Sequence, residues 1–207
     1  NTYRNVCAHQ TWRRYILKAI PYEATPAMDR GNKVHEALEL RIKTGKPLPV
    51  DMHAYESFAR VFDGRNVKCE PKLAVTREGK PPAYFGADVW GRGRADVAVI
   101  NGTTAYLADW KTGNVKEDPC ELEVQAVLLK AKYPEIKTIK GQYVWLKEMR
   151  MGQLYDVSDV LGTWQQINHL VSLIENDMRR GEFDKEPGPL CGGKWGSCAV
   201  RDCEHRR

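Results

Sequence analysis

Between residues 94 and 111 the chain reads Arg-Ala-Asp-Val-Ala-Val-Ile, then Asn-Gly-Thr-Thr, then Ala-Tyr-Leu-Ala-Asp-Trp-Lys. Two apolar, alternating runs joined through Asn-Gly are the strongest short-range signal for a β-hairpin. That signal constrains everything else, because a hairpin fixes which side chains share a sheet face. A two-residue loop at Asn101-Gly102 pairs residue 100 with 103 and sets Asp96 opposite Leu107. A four-residue loop sets Asp96 opposite Asp109 instead. In both registers Asp96, Asp109 and Lys111 project from one face, since Leu107, Asp109 and Lys111 share parity. Only an odd-length loop or a bulge would separate them.

Two carboxylates and an ammonium on one face of apolar strands admit two readings. One is an Asp–Lys ion pair on a wet sheet face, a common and individually weak feature. The other is a divalent-cation site, because paired carboxylates are hard oxygen donors suited to Mg²⁺ or Mn²⁺. In that second reading Lys111 positions the attacking water and offsets charge developing at phosphorus.

Around the hairpin the hydrophobic period changes with position. Helices are predicted at Cys7–Ile20, Asp29–Thr44 and Met52–Phe62, where apolar residues recur every three or four positions. Val67, Cys69, Leu73 and Val75 fall on one parity of a strand that Pro71 demotes towards an edge. A loop rich in Pro and Gly follows, through Pro81, Pro82, Gly86, Gly91 and Gly93. After the hairpin come a helix at Glu121–Tyr133, strands at Gln142–Lys147 and Gln153–Val157, and a long helix at Ser158–Arg180.

The pattern predicts a single α/β domain with mixed sheet order. Residues 1–65 are its helical part, 66–157 its sheet core, 158–180 the long helix and 181–207 a Cys-rich tail. With 42% hydrophobic and 29% charged residues among 207, the chain is neither a disordered tail nor a bare coiled coil. No apolar run approaches the ~20 residues that a membrane span needs. Residues 1–8 lack signal-peptide grammar, and the missing initiating Met reads as a trimmed start. A cytoplasmic protein is expected. The net charge of +5 permits a polyanionic partner without demanding one.

The hairpin residues belong to a longer ordered set. Gly31 and His35 stand on the second helix, Gly93 and Asp96 precede the first hairpin strand, and Asp109-Trp110-Lys111-Thr112-Gly113 closes the second. This set resembles the PD-(D/E)XK nuclease superfamily, specifically its RecB-like exonuclease branch. The likeness extends from Cys7 and Trp12-Arg13-Arg14-Tyr15 to the terminal cysteines, and so covers nearly the whole chain.

The resemblance implies a restriction-endonuclease-like core and a metal-dependent DNA exonuclease that acts in recombination, repair or phage DNA metabolism. It implies that Asp96 and Asp109 hold Mg²⁺ or Mn²⁺, with His35 and the Trp110 carbonyl completing the set and Lys111 as the catalytic lysine. Glu70 falls where relatives carry a further acid. Relatives add Gln-x-x-x-Tyr on the next helix; here Gln125 is followed at that spacing by Leu129, and Glu121 with Gln125 is the other alignment. Rival readings on the same core are a catalytically weak or inactive DNA-end-binding or recombination scaffold, with a recombination or replication protein as partner, and a structure-specific endonuclease.

Six cysteines in a chain expected to stay reduced argue against a disulfide framework. Cys191, Cys198 and Cys203 crowd the tail, with His205 beyond them. Thiolates gathered at short spacing suggest zinc or an iron–sulfur cluster. With Cys7 they match the one-plus-three layout by which several RecB-like relatives hold a [4Fe–4S] cluster; Zn²⁺ is the alternative, as are plain reduced cysteines. Arg92 and Arg94 flank the presumed metal and are the candidates for phosphate contacts with single-stranded DNA or DNA ends.

Overall fold

The computed structural model describes residues 7–192 and 198–206. Residues 1–6, most of the start that was read for a signal, and 193–197 within the cysteine tail lie outside them, as does residue 207. The described residues open with α1 (Ala8–Thr11), a π-helical turn Trp12–Ile16, α2 (Pro26–Thr44), a 3-10 segment Val50–Tyr55 and α3 (Glu56–Arg60). Five strands follow: β1 (Val67–Cys69), β2 (Lys72–Val75), β3 (Gly91–Arg94), β4 (Val97–Asn101) and β5 (Thr104–Lys111). Then come α4 (Cys120–Lys132), β6 (Thr138–Trp145), β7 (Arg150–Asp156) and α5 (Val160–Arg180). Two compact units result, Thr25–Gln166 on the one hand, and Asn1–Ala24 with Ile167–Arg207 on the other. Among the described residues, no helix is long and apolar enough to cross a membrane.

The larger unit is a mixed α/β structure around a five-stranded sheet in the order β1-β4-β5-β6-β7. Only β5 and β6 run parallel; the other adjacent pairs are antiparallel. A parallel pair needs a crossover, and α4 supplies it. Because side chains alternate along a strand, β4 and β5 feed two cores. Ala98, Ile100 and Leu107 pack beneath Leu122, Ala126 and Leu129 of α4. Val97, Val99, Ala108 and Trp110 pack with Val34 and Leu38 of α2 on the opposite face.

The hairpin adopts the second of the two anticipated registers, by a shorter turn. Asn101 pairs with Thr104 and Val97 with Ala108, so the loop is Gly102-Thr103, one residue later than Asn-Gly. Gly102 has φ +58° while Thr103 does not enter the left-handed region, the type II′ pattern with glycine first. Extended by one residue, this register brings Asp96 to Asp109.

The helix expected at Met52–Phe62 is the 3-10 segment followed by the short α3, and two expectations for the sheet change as well. Residues 67–75 are two strands, not one: β1 joins the five-stranded sheet, whereas β2 pairs with β3 in a separate two-stranded ribbon. The break falls at Glu70, whose φ of +50° turns the chain. The glycines at 91 and 93 belong to a strand and not to a loop. A Cβ on Gly93 would lie 3.1 Å from Leu128 Cδ1, so glycine lets the ribbon seat closely on α4.

Helix α2 is bounded by ordinary signals. Thr25 caps its start through Oγ1, which accepts from the Met28 N–H at 3.3 Å, with Pro26 following. Gly45 ends it in the left-handed conformation, φ +72°.

In the smaller unit the predicted helix at Cys7–Ile20 is shorter and ends as a π turn at Ile16. Trp12 stacks on Phe183 with centroids 5.0 Å apart, and Arg13 donates two hydrogen bonds to Asp202 at 3.0 and 3.1 Å. These contacts tie the start of the chain to its tail.

Candidate metal centre

Helix α2 brings His35 to the edge of the sheet through Gly31, one turn earlier. A Cβ at Gly31 would stand 3.1 Å from Thr112 Oγ1, so glycine allows the helix to approach the end of β5. That is the physical content of the Gly-x-x-x-His spacing here. His35 Nδ1 then lies 3.0 Å from Asp96 Oδ1. The other Asp96 oxygen accepts the Trp110 backbone N–H at 2.7 Å. Glu70, turned inward at its left-handed corner, is held by its own N–H donating to the Asp96 carbonyl at 2.9 Å.

The consequence is a three-residue cluster. One ligand atom each from His35, Glu70 and Asp96 lies within 4.8 Å of the others. Two carboxylates and an imidazole form a hard, oxygen-rich donor set of the kind Mg²⁺ and Mn²⁺ accept. The 3.0 Å between His35 and Asp96 equals a hydrogen bond and also the edge of an octahedron with bonds of about 2.1 Å. The donor set therefore fits a divalent cation.

Asp109 stands beside this cluster and not within it. Its side chain is almost wholly buried. Gln125 on α4 donates from Nε2 to Asp109 Oδ1 at 2.8 Å. Lys111 Nζ approaches Oδ2 at 2.6 Å, but at an angle that leaves this oxygen without a hydrogen bond. That oxygen is held by the Lys111 charge, and Asp109 adds a second buried carboxylate beside the cluster. Lys111 itself donates to Glu121 Oε2 at 2.5 Å and lies 5.2 Å from the centre of the Tyr143 ring.

Charges push the titrations in one direction. Burial opposes the imidazolium of His35, but the Asp96 hydrogen bond and the charges of Asp96, Asp109 and Glu70 together hold it above its ordinary value. Burial, then the charges of Asp96 and Glu39, raise Glu70. Burial, reinforced by Asp96 and opposed by Lys111, pushes Asp109 up to about 6. For Lys111 burial is again unfavourable, yet Asp109 and Glu121 outweigh it and keep the ammonium charged.

Both raised acids, Glu70 and Asp109, bind extra protons in the folded state, so their stabilising effect is present at low pH and is lost as pH rises through the folded pKa. For Asp109 that window runs from 3.8 to about 6. We expect the melting temperature of metal-free protein to fall across it, and Mn²⁺ to reverse the fall at neutral pH. Asp109→Asn removes one of the buried charges, so it should flatten the slope and raise the metal-free melting temperature at neutral pH by a few degrees, about 2–4 °C per kcal/mol. Calorimetry across this pH range checks it; an unchanged slope in the variant refutes it.

The remaining candidates are distributed as follows. Arg94 lies 3.7 Å from Glu70 and lines, with His35, Glu70 and Lys111, a groove of about 660 Å³. Arg92 is one turn of the strand away, over the rings of Tyr84 and Phe85. Gln125 is buried against Asp109 and holds that carboxylate. Trp110, whose carbonyl is the expected metal ligand, donates its N–H to Asp96. Glu121, weighed for the Gln position, is the partner of Lys111. Tyr84 and Phe85 were not singled out; their signal was two adjacent aromatics in a Pro- and Gly-rich connection.

In the smaller unit Cys7, Cys191, Cys198 and Cys203 line one cavity of about 250 Å³, together with His9 and His205. All four are free thiols and half-buried. They surround the cavity and do not close on a single point. Cys69 and Cys120 lie elsewhere, in the larger unit.

No protein family's model matches the chain, and no curated protein matches it. Among solved structures the chain is similar to the crystal structure of SSO0001, with 14% identity, a TM-score of 0.49, and coverage of 97% of this chain and 82% of that one.

Proposed function

We propose that the protein is a Mg²⁺- or Mn²⁺-dependent deoxyribonuclease built on a restriction-endonuclease-like core, acting as an exonuclease on DNA ends. The observation that carries this reading is the convergence of His35, Glu70 and Asp96, with Asp109 and Lys111 adjoining on the next strand. Order and spacing agree with the PD-(D/E)XK pattern that the sequence resembles.

His35, Glu70 and Asp96 would hold the cation, with the Asp109 carboxylate, paired to Lys111, adjoining it. When bound, a divalent cation supplies Lewis-acid charge at the phosphate and lowers the pKa of water. Lys111 remains protonated, because Asp109 and Glu121 favour its charge. It therefore serves as a donor and a fixed positive charge at the scissile phosphate, not as a general base. Gln125 holds Asp109 from behind, and Arg94 offers a phosphate contact at the mouth of the groove.

The four thiols are the ligands of a [4Fe–4S] cluster in this reading: soft donors around a common cavity suit it, with Zn²⁺ involving His205 as the competing occupant. Protein purified without oxygen should be brown and carry iron with acid-labile sulfide. Colourless protein with stoichiometric zinc would reject the cluster.

Cleavage of end-labelled linear DNA with Mn²⁺ and with EDTA tests the activity. Mononucleotides or short products released only with metal are expected. Circular single strands should resist; their degradation would replace the exonuclease by an endonuclease, and an absence of any metal-dependent product would end the proposal.

A further inference from the structure

The two-stranded ribbon that leads into the metal centre carries, beyond Arg94, a surface the nuclease chemistry does not use. Its inner face, Leu73 and Val75, is buried on α4. Its outer face follows from the register: Lys72 opposes Arg94, and Ala74 opposes Arg92. Three cations therefore project from one face, and residues 72–75 and 91–94 contain no carboxylate.

The connection between β2 and β3 lays two aromatic rings against these cations. Tyr84 and Phe85 meet edge to face with centroids 4.9 Å apart. Arg92 Cζ lies 5.6 Å from the Tyr84 ring and 5.0 Å from the Phe85 ring, and Lys72 Nζ lies 5.8 Å from each. Phe85 is nevertheless 73% exposed. A phenyl ring outside both core clusters, next to two cations and largely open to solvent, offers aromatic surface beside positive charge.

We infer that Phe85, supported by Tyr84, is a base-stacking platform for single-stranded DNA, with Arg92 and Lys72 taking the adjacent phosphates. Aromatic faces bind any base, but only one that is not already stacked within a duplex. The platform thus selects single strands or frayed ends. Arg92 and Arg94 are two residues apart on the strand, about 7 Å. Arg94 adjoins Glu70, so a nucleotide held on Phe85 stands a short reach from the cation. This inference deepens the nuclease reading and rests on it for the identity of the nucleic acid.

The test is binding in EDTA, where cleavage is silent, using a short oligodeoxynucleotide that carries 2-aminopurine, either single-stranded or annealed. Phe85→Ala should weaken single-strand binding about tenfold and abolish the fluorescence quenching caused by stacking, with duplex affinity unchanged. Phe85→Trp should restore both. Arg92→Ala should lower the salt dependence by about one phosphate, which Phe85→Ala should not. Wild-type binding and quenching in Phe85→Ala, or an equal loss for duplex, would overturn the platform. Because Phe85 is exposed, its variants should melt as the wild type does, and the Trp variant reads stacking independently of affinity. The two claims fail separately. A protein that never cleaves yet loses stacking in Phe85→Ala refutes the nuclease alone, whereas cleavage with normal binding in Phe85→Ala refutes the platform alone.

Discussion

Lys111→Met and Asp96→Asn should each reduce metal-dependent DNA cleavage by at least about 10³-fold while leaving the protein folded. The two substitutions act at different points. Lys111→Met removes a positive charge whose neighbours, Asp109 and Glu121, are then left without their shared partner. Cation binding should survive, because the His35–Glu70–Asp96 cluster is intact. Asp96→Asn preserves an oxygen to accept the Trp110 N–H but halves the carboxylate charge of the cluster. Its loss should therefore appear in calorimetric Mn²⁺ uptake as well as in turnover. Single-turnover cleavage paired with metal titration checks both. If Lys111→Met cleaves like the wild type, the lysine is a structural ion pair and the proposed chemistry fails.

Leu122→Ala should be the most destabilising of the simple truncations near the site. Leu122 is fully buried, and its side chain seats α4 on β6 directly against Gly141, where an added Cβ would lie 3.1 Å from Leu122 Cβ. Strand and helix are thus already as close as glycine permits, and neither can collapse further into a void. The cost should fall at about 2–5 kcal/mol, a drop of about 5–15 °C in melting temperature. Val124 on the same helix is 37% exposed, and Val124→Ala should change little. Thermal unfolding followed by circular dichroism separates the two; a drop under about 2 °C for Leu122→Ala would contradict the packing described. Cleavage should decline with it, since the same helix carries Gln125 to Asp109 and Glu121 to Lys111.

Much of this arrangement was legible in the sequence, for reasons that can be named. Alternation around Asn101-Gly102 constrained the hairpin to an even register, and the face shared by Asp109 and Lys111 follows from the strand period alone. Helix α2 was legible from its apolar period, but it starts at Pro26 behind the Thr25 cap and not at Asp29. Other features were hidden because tertiary contacts decide them. Nothing in the alternation of residues 67–75 marks a break, since the left-handed turn falls on a glutamate and not on a glycine. Gly91 and Gly93 suggested a loop because what decides otherwise is distant: Gly93 approaches Leu128 of α4, far along the chain. The position of Glu70 was legible only through resemblance, and Asp109 was placed among the ligands without any sign that Gln125 would hold it from behind. Phe85 escaped notice because exposure is not written in a residue's neighbours.

The corner at Glu70 ties chain routing to chemistry. A chain that kept residues 67–75 as one straight strand would satisfy every local preference, bury much the same apolar side chains and turn this carboxylate away from Asp96. Such a misrouted molecule would look healthy by solubility and helix content, yet lack the cluster proposed to take up manganese. Ion uptake, rather than secondary structure, is consequently the assay that certifies a correctly threaded preparation.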